Sequence, residues 1–175
     1  FAIVDARHSS DSRWWNHILP SFFEVHSIED RVMFNPDIVL CQVPHSYIGM
    51  NAITDKLDVQ NNFFFDGMAC FRDRCNGMTS CGTGGIWSIT SHLGVENFFF
   101  GRTMIEDTTS THKYFLQGFY STYVPPLFAS KQLMRAVPKI GANYVDALER
   151  WDTGAIQSLL TQGLPNAWFW TTLCS

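Results

Sequence analysis

"FAIVD", residues 1–5, is a continuous apolar run that ends on an acid. This pattern is typical of a central strand in a parallel or mixed sheet, where both faces of the strand are covered. "DIVLCQVP" (37–44) has the same character and is closed by a proline, so it predicts a second buried strand. Because the chain opens directly on a buried strand, we expect it to be part of a longer polypeptide.

Helical patterns follow each of these strands. Asp11 or Ser12 can begin a helix over 12–25, which Pro20 is expected to kink. A longer helical pattern covers 52–75 and ends near Gly77. An apolar stripe on this helix is predicted to be part of the core, and it consists of Leu57, Phe64, Met68 and Phe71.

The second half of the chain continues the alternation of strands and helices. "CGTGGIWSI" (81–89) reads as a glycine turn followed by a strand, and "FYSTYV" (119–124) alternates like a strand. A helix over 106–117 is expected to end at Gly118 in a left-handed cap, and a last helix is predicted over 142–162. Alternating strands and helices predict an α/β fold with helices on both faces of the sheet.

Composition narrows the functional class. The 175 residues are 46 % hydrophobic and carry a formal charge of −4, which suits one buried core and offers no basic surface for nucleic acid. Five cysteines lack paired C-x-x-C spacing, so we interpret them as reduced packing thiols, with a metal site at Cys70, Cys75 and Cys81 as the alternative. No apolar run reaches the roughly 18 residues of a membrane span, and no secretion signal opens the chain.

"TMIEDTTST" (103–111) places two adjacent acids at the start of the third predicted helix. Thr103 and Glu106 have the T-x-x-E spacing of a capping box, in which each side chain satisfies a free backbone amide. Asp107 would then stabilise the helix through its dipole. The alternative is that Asp107 accepts a proton in catalysis.

Five short features occur in a fixed order along the chain: "FAIVDARH" (1–8), "CQVPH" (41–45), "CGTG" (81–84), "IED" (105–107) and "ALERW" (147–151). Ligands of α/β sheets bind at the carboxyl ends of the strands, where Asp5 falls. The five features resemble, in this order, the D-A-D-H, V-Q-T-P-H, C-G-T/S, T-E-D and Q-x-x-R-W stretches of the cellulose-synthase-like family 2 glycosyltransferases. These enzymes are processive, membrane-embedded synthases of β-linked polysaccharides.

The resemblance runs across nearly the whole chain and implies a GT-A-like mixed sheet with helices on both faces. It further implies that the chain is the carboxyl-terminal half of a catalytic domain on the cytosolic side of the plasma membrane. The amino-terminal nucleotide-binding strands and the transmembrane helices would lie outside it, so this piece alone is expected to be inactive. Residues 138–175 would form an amphipathic helical segment at the membrane interface.

By the same resemblance, Asp107 is the general base of sugar transfer, and Glu106 keeps a capping role or helps to orient the site. Asp5 would bind the nucleotide sugar and a divalent cation, Mg²⁺ or Mn²⁺. Arg7 departs from the family because it stands where a second aspartate is expected; it either neutralises the diphosphate or marks a lost metal site. His8 is either a further metal ligand or a hydrogen-bonded structural histidine.

Cys81, Gly82 and Thr83 would line the acceptor end of the site, although an ordinary glycine turn is the alternative. Arg150 suits the leaving diphosphate and Trp151 the face of a terminal glucose; the alternative is an exposed arginine beside a core tryptophan. Ala147 is the second departure, since it stands where the family has a glutamine.

The expected activity is inverting transfer of glucose from UDP-glucose to the non-reducing end of a growing β-1,4-glucan. Chitin or hyaluronan synthesis is the alternative within the same class of enzyme. A non-catalytic scaffold subunit of a synthase complex is the alternative outside it, and a generic α/β binding domain is a third. The expected partners are a UDP-sugar donor, a glucan acceptor, the membrane and other synthase subunits.

Overall fold

The computed structural model describes residues 1–28, 30–49, 53, 63–89, 103–125, 134–136 and 142–162. The largest sheet has four strands in the order β1 (Ala2–Ile3), β7 (Gly85–Trp87), β5 (Ile38–Gln42) and β8 (Tyr120–Tyr123). β1 and β5 are antiparallel to β7, whereas β5 and β8 are parallel. The sheet is therefore mixed, as the sequence predicted.

The buried strand pattern of 37–44 is confirmed, because Val39, Leu40 and Cys41 are fully buried in β5. The prediction that residues 1–5 form a central strand is wrong. β1 is only two residues long and lies at the edge of the four described strands, and Phe1 and Val4 are each 41 % exposed. The strand ends at Ile3, and beyond it the backbone amide of Asp5 donates to the Thr83 hydroxyl.

Two smaller sheets accompany the main one. β2 (His8–Ser10), β9 (Met134–Ala136) and β6 (Ser46–Tyr47) form a three-stranded sheet in that order. β3 (Phe23–His26) and β4 (Arg31–Phe34) form a hairpin whose residues are all exposed. β2 pairs with β9, which places the segment after Asp5 in the same sheet as β6.

The helix expected over 12–25 is shorter than predicted. α1 covers Trp14–Ile18, a 3₁₀ turn covers Leu19–Phe22, and the chain then enters β3. The expected interruption at Pro20 is confirmed, since proline cannot donate the hydrogen bond that would continue an α-helix. The carboxylate of Asp11 accepts a hydrogen bond from the Arg13 amide at 2.8 Å, which orders the entry to α1.

Only the end of the long helix predicted over 52–75 lies in the described ranges. It consists of a π-helical turn, Phe63–Met68, followed by α2, Ala69–Arg74. Phe71 was predicted to be core but is 56 % exposed, whereas Phe65, outside the predicted stripe, is buried. A π turn holds more residues per turn than an α-helix and so rotates the buried face. Leu57 lies outside the described residues.

Helices cover both faces of the main sheet. On one face, Cys41 and Ile86 of paired strands pack with Trp14 and Ile18 of α1. On the other face, Trp87 packs with Tyr114 of α3, which covers Glu106–Leu116. A further cluster on that side joins Tyr123 of β8 to Phe65 and Ala69, and therefore to α2.

The last helix, α4, covers Ala142–Gln162, as predicted. Gly118 has φ +88° just after α3, so the predicted left-handed cap is confirmed too. Within the described ranges, the structure contains no helix that combines the length and the apolar character needed to cross a membrane. The end of the predicted interface segment, 163–175, lies outside the described residues.

Candidate active site

One cavity of about 700 Å³ gathers every residue that the sequence singled out for a role in the site. The cavity wall contains the end of β1, the glycine turn before β7, the start of α3 and the middle of α4. The predicted residues that line it are Asp5, Arg7, His8, Cys81, Gly82, Thr83, Glu106, Asp107, Arg150 and Trp151. Stretches up to 146 positions apart in the chain therefore meet at one place.

Asp5 lies just after β1 and is held by two contacts. Its backbone amide donates to the Thr83 hydroxyl at 3.1 Å, and its carboxylate accepts a hydrogen bond from the Arg7 guanidinium at 3.1 Å. Partial burial alone would raise the pKa of Asp5, but the hydrogen bond and the charge of Arg7, with a smaller effect of His8, lower it overall. Asp5 is therefore ionised at neutral pH.

His8 begins β2 beside Asp5. Its side chain is only 6 % exposed, and its Nδ1 lies 3.9 Å from the Asp5 carboxylate. The His8 ring meets the ring of His45 edge-on, with 5.4 Å between the centroids. Burial lowers the pKa of His8, against the opposing charge of Asp5, so the ring is neutral at neutral pH.

The "CQVPH" and "CGTG" stretches interlock through side chains. The side-chain amide of Gln42 and the His45 Nε2–H both donate to the Thr83 backbone carbonyl, at 2.8 and 2.7 Å. The side-chain oxygen of Gln42, Oε1, accepts a hydrogen bond from the Cys81 backbone amide at 3.2 Å. At Gly84, a Cβ would lie 2.7 Å from His45 Nε2, which is closer than atoms can approach. The glycine turn is thus held in place by Gln42, at the end of β5, and by His45, just after that strand.

Gly82 brings the backbone of this turn against Asp107. It has φ +76°, a conformation that favours glycine, and a Cβ here would lie 3.2 Å from Asp107 Oδ2. Burial raises the pKa of the neighbouring Cys81 thiol to about 12, with a further contribution from the charge of Asp107. Cys81 is therefore a protonated wall residue and not a nucleophile.

The predicted capping box at the start of α3 is wrong. The N-cap is Ile105, no side chain caps the helix, and the Thr103 hydroxyl instead contacts the Thr109 hydroxyl at 2.9 Å. Thr109 in turn contacts Ser158 of α4, so Thr103 serves the contact between the two helices. Glu106 and Asp107 do lie in the first turn, as expected, and Glu106 is exposed.

Asp107 has a perturbed acidity. Burial raises the pKa of its carboxyl to about 6, and the charge of Glu106 adds to this effect. Hydrogen bonds from the backbone amides of Thr108 and Asp107, and the charge of Arg150, act in the opposite direction but are weaker. Burial raises the pKa of Asp107 by more than the amino terminus of the helix lowers it. A carboxyl with a pKa near neutral pH is suited to accept and release a proton.

α4 reaches the cavity because it lies close to the start of α3. Gly154 faces Ile105, and a Cβ at Gly154 would lie 2.7 Å from Ile105 Cγ2. The Met104 amide also donates to the Gln157 side chain at 3.0 Å. Trp151 is half-buried and Arg150 exposed, both at the cavity wall. Ala147, the departure from the family pattern, is buried and is not among the wall residues.

Several cavity residues have no role in the assignment made from sequence. Arg72 is a buried arginine on α2, with its guanidinium 5.3 Å from the centre of the Phe64 ring. His112 on α3 is buried, and burial together with the charge of Arg72 lowers its pKa to about 3. No sequence signal marked either residue. The apolar stripe predicted for the helix that contains Arg72 indicated other positions, and no motif included His112. His45 did stand within a recognised motif.

The donor groups near Asp5 do not suit a divalent cation. Mg²⁺ and Mn²⁺ prefer several carboxylate or carbonyl oxygens. Here the Asp5 carboxylate is engaged by the Arg7 guanidinium, and the neighbouring His8 nitrogen is 3.9 Å from the same oxygen. In the described part of the chain, no group of three or more His, Cys, Asp or Glu side chains could hold a metal ion.

No family model matches the chain, and no curated protein matches it at a significant level.

Proposed function

We propose that this chain is part of the catalytic domain of an inverting, cellulose-synthase-like glycosyltransferase with a GT-A fold. In this proposal, the enzyme transfers glucose from UDP-glucose to the non-reducing end of a β-1,4-glucan. The cavity described above receives the sugar between the Gly82 turn and Trp151. The proposal also covers chitin and hyaluronan synthases, because the wall residues do not distinguish the sugars.

One observation carries the proposal. Five stretches that resemble family motifs, in the same order, each contribute residues to the wall of one cavity. Order along a chain does not by itself require proximity in space, so the geometry is an independent support. Asp107, to which the resemblance assigns the role of base, is also the carboxyl whose pKa is raised to about 6 by burial.

The reaction follows from these positions. The acceptor hydroxyl attacks the anomeric carbon from the face opposite the diphosphate, and its proton passes to the Asp107 carboxylate. The new C–O bond forms as the bond between the anomeric carbon and the phosphate oxygen breaks, and UDP leaves with the electron pair. Arg150, a guanidinium at the same wall, stabilises the negative charge of the leaving group. Trp151 offers its ring face to the acceptor sugar.

Membrane association is a further part of the proposal. Val145, Ile156 and Leu160 are exposed by 60 %, 58 % and 80 %. Their spacing of eleven and four residues puts them on one side of α4, where exposed Glu149 and Asp152 also lie, so this side is apolar in part and acidic in part. An amphipathic helix of this kind suits a position at the cytosolic surface of the plasma membrane, with the spanning helices and other synthase subunits supplied outside this chain.

The activity test uses the longest natural form of the protein in membranes, supplied with radiolabelled UDP-glucose. We expect Asp107→Asn to lower polymer formation by about 10²- to 10⁴-fold, the range for loss of a general base. In the wild type, activity should rise with pH through about 6 as Asp107 loses its proton. Asp146→Asn is the matched control, since it makes the same change on an exposed residue of α4 that is not at the cavity wall. Polymer formation undiminished by Asp107→Asn would refute the role of base.

A scaffold subunit is the second candidate, and the ion pair of Asp5 with Arg7 is what favours it. A nucleotide site that has lost an acidic ligand is expected in a subunit that keeps the fold but not the catalytic activity. The two candidates differ in nucleotide affinity: an enzyme binds UDP, and a scaffold of this kind does not. Calorimetric titration of the longest natural form of the protein with UDP, repeated with Asp5→Ala, separates them. Binding that is weakened by Asp5→Ala supports the enzyme.

A further inference from the structure

Arg7 occupies the position at which a second acidic ligand would be expected. Its Nη2 lies 3.1 Å from Asp5 Oδ2, and the two side chains are 43 % and 44 % exposed at the cavity wall. The pair is thus preformed and accessible to a ligand that enters the cavity.

We infer that the Arg7 guanidinium, oriented by Asp5, replaces a divalent cation in binding the diphosphate of the donor. This inference rests on the proposed function and specifies the chemistry of its nucleotide site. It predicts a site that binds the nucleotide without metal.

Charge balance supports the replacement. Two aspartates with one divalent cation have no net charge and present one cationic centre to the phosphates. Asp5 with Arg7 also has no net charge, and it too presents one cationic centre. The change from an acid to arginine therefore keeps the electrostatics of the site while it removes the need for the ion.

Hydrogen-bonding capacity supports it as well. A guanidinium has five N–H donors in a planar fork, and Asp5 accepts a hydrogen bond from one of those of Arg7. The remaining donors can bind two phosphate oxygens at once, a geometry that arginine favours. The Asp5 carboxylate has a lowered pKa and stays ionised, so it continues to hold the guanidinium at neutral pH. Asp5 then acts as a positioning residue.

Binding of UDP to the longest natural form of the protein, measured by calorimetry, tests the inference. We expect UDP to bind in EDTA, with an affinity that added Mn²⁺ changes by less than about threefold. Arg7→Ala should weaken binding by about 10- to 100-fold, the loss expected for charge-assisted hydrogen bonds of roughly 1.5–3 kcal/mol. Arg7→Lys should give an intermediate loss, because it keeps the charge but not the fork.

Two further variants complete the test: a matched control at Arg13, and a variant of Arg7 that restores the second acid. Arg13 forms the same kind of pair with Asp11, at 3.0 Å and two residues away, but is not at the cavity. Arg13→Ala should leave UDP binding unchanged. Arg7→Asp recreates two acids around Ala6, and we expect it to bind UDP only when Mn²⁺ is present.

The outcomes separate the inference from the function on which it rests. Binding of UDP by the wild type that requires Mn²⁺ and is abolished by EDTA would overturn the inference and leave the glycosyltransferase standing. Binding in EDTA that is equal for wild type and Arg7→Ala would overturn it too. Absence of UDP binding under every condition would count against the proposed function itself.

Discussion

Asp107 shows how two opposite effects combine on one carboxyl. The first turn of a helix presents free backbone amides and a positive dipole end, both of which favour the ionised form. The cavity wall removes water, which favours the neutral form. The pKa of about 6 means that loss of water dominates. A group that serves as a helix cap would be expected to show the reverse.

The raised pKa has a consequence for stability. The pKa of Asp107 is about 6 in the folded chain, whereas an unperturbed aspartate, as in the unfolded chain, has a pKa of 3.8. Between these two pH values the folded protein therefore binds the proton more tightly than the unfolded chain does. The free energy of unfolding therefore falls as the pH rises from about 4 to above 6. Each pKa unit corresponds to about 1.4 kcal/mol, so the loss is of the order of 2–3 kcal/mol.

Asp107→Asn should remove this pH-dependent loss. Relative to the wild type, the variant is expected to gain stability as the pH rises from 4 to 7.5, by up to about 2–3 kcal/mol. Urea denaturation of both proteins at the two pH values measures the difference. A stability difference that is the same at pH 4 and pH 7.5 would contradict the assignment of the perturbed carboxyl to Asp107.

Gly82 provides a second test at the scale of one residue. Gly82→Ala and Gly118→Ala both place a Cβ on a residue with positive φ, so each should cost about 1–2 kcal/mol of stability. Only the methyl group at Gly82 meets a side chain, Asp107 Oδ2 at 3.2 Å, whereas nothing lies within 4 Å at Gly118.

The pKa of Asp107 should distinguish the two variants. In Gly82→Ala the added methyl displaces water from the carboxylate, and the titration midpoint of the Asp107 carboxyl carbon in NMR should move upward. Gly118→Ala should leave that midpoint in place. Equal midpoints in both variants would mean that Gly82 does not contact Asp107 in solution.

At the scale of elements, the contact between α3 and α4 determines whether the site is complete. Gly154 allows α4 to lie against Ile105, one residue before α3. Gly154→Ala should destabilise the chain by about 1–3 kcal/mol through overpacking, although alanine is otherwise the better helix former. Gly67→Ala is the control, because nothing lies within 4 Å of that position; it should be neutral or slightly stabilising.

A second substitution shows whether the contact with Ile105 causes the effect. Ile105→Ala removes the two carbon atoms that the new methyl would meet, so Gly154→Ala should cost less in its presence. Thermal unfolding of the two single variants and the double variant gives the coupling. Additive losses would mean that the two helices are not packed through this pair.

The elements that sequence predicted well are those whose pattern was set by burial or by a turn residue. β5 is buried on both faces and so has an unbroken apolar run, and Gly118 ends α3 through a backbone conformation that glycine favours. Phe71 was misassigned because a π turn changes the helical period, which no side-chain pattern announces. β1 was misplaced since apolar residues also occur at a sheet edge.

The candidate site was predictable in its members but not in its contacts. The order of the motifs led to ten residues that line one cavity. The T-x-x-E spacing suggested a capping box, whereas Thr103 contacts Thr109 because α4 packs nearby. Buried Arg72 had no signal at all, since its position depends on the rotation of α2. Long-range packing was thus the part that local sequence could not supply.

At the scale of the whole molecule, the cavity depends on contacts between distant parts of the chain. Asp5 bonds to Thr83, the Ser80 amide donates to the Thr111 hydroxyl at 3.1 Å, and Met104 bonds to Gln157. Each of these contacts joins two of the segments that line the cavity. A ligand that fills the cavity should therefore affect all of the segments together.

Hydrogen exchange measured by mass spectrometry tests this coupling. With saturating UDP, we expect slower amide exchange in peptides that contain residues 5–8, 80–83, 105–108 and 148–152, since each segment lines the cavity. A hundredfold excess over the dissociation constant stabilises the folded chain by about 2.7 kcal/mol, enough for a clear change. The exposed hairpin of β3 and β4, Phe23–Phe34, lies away from the cavity wall and should exchange at an unchanged rate. Protection confined to residues 5–8 would mean that the nucleotide contacts one loop, and that the three other segments do not belong to the same site.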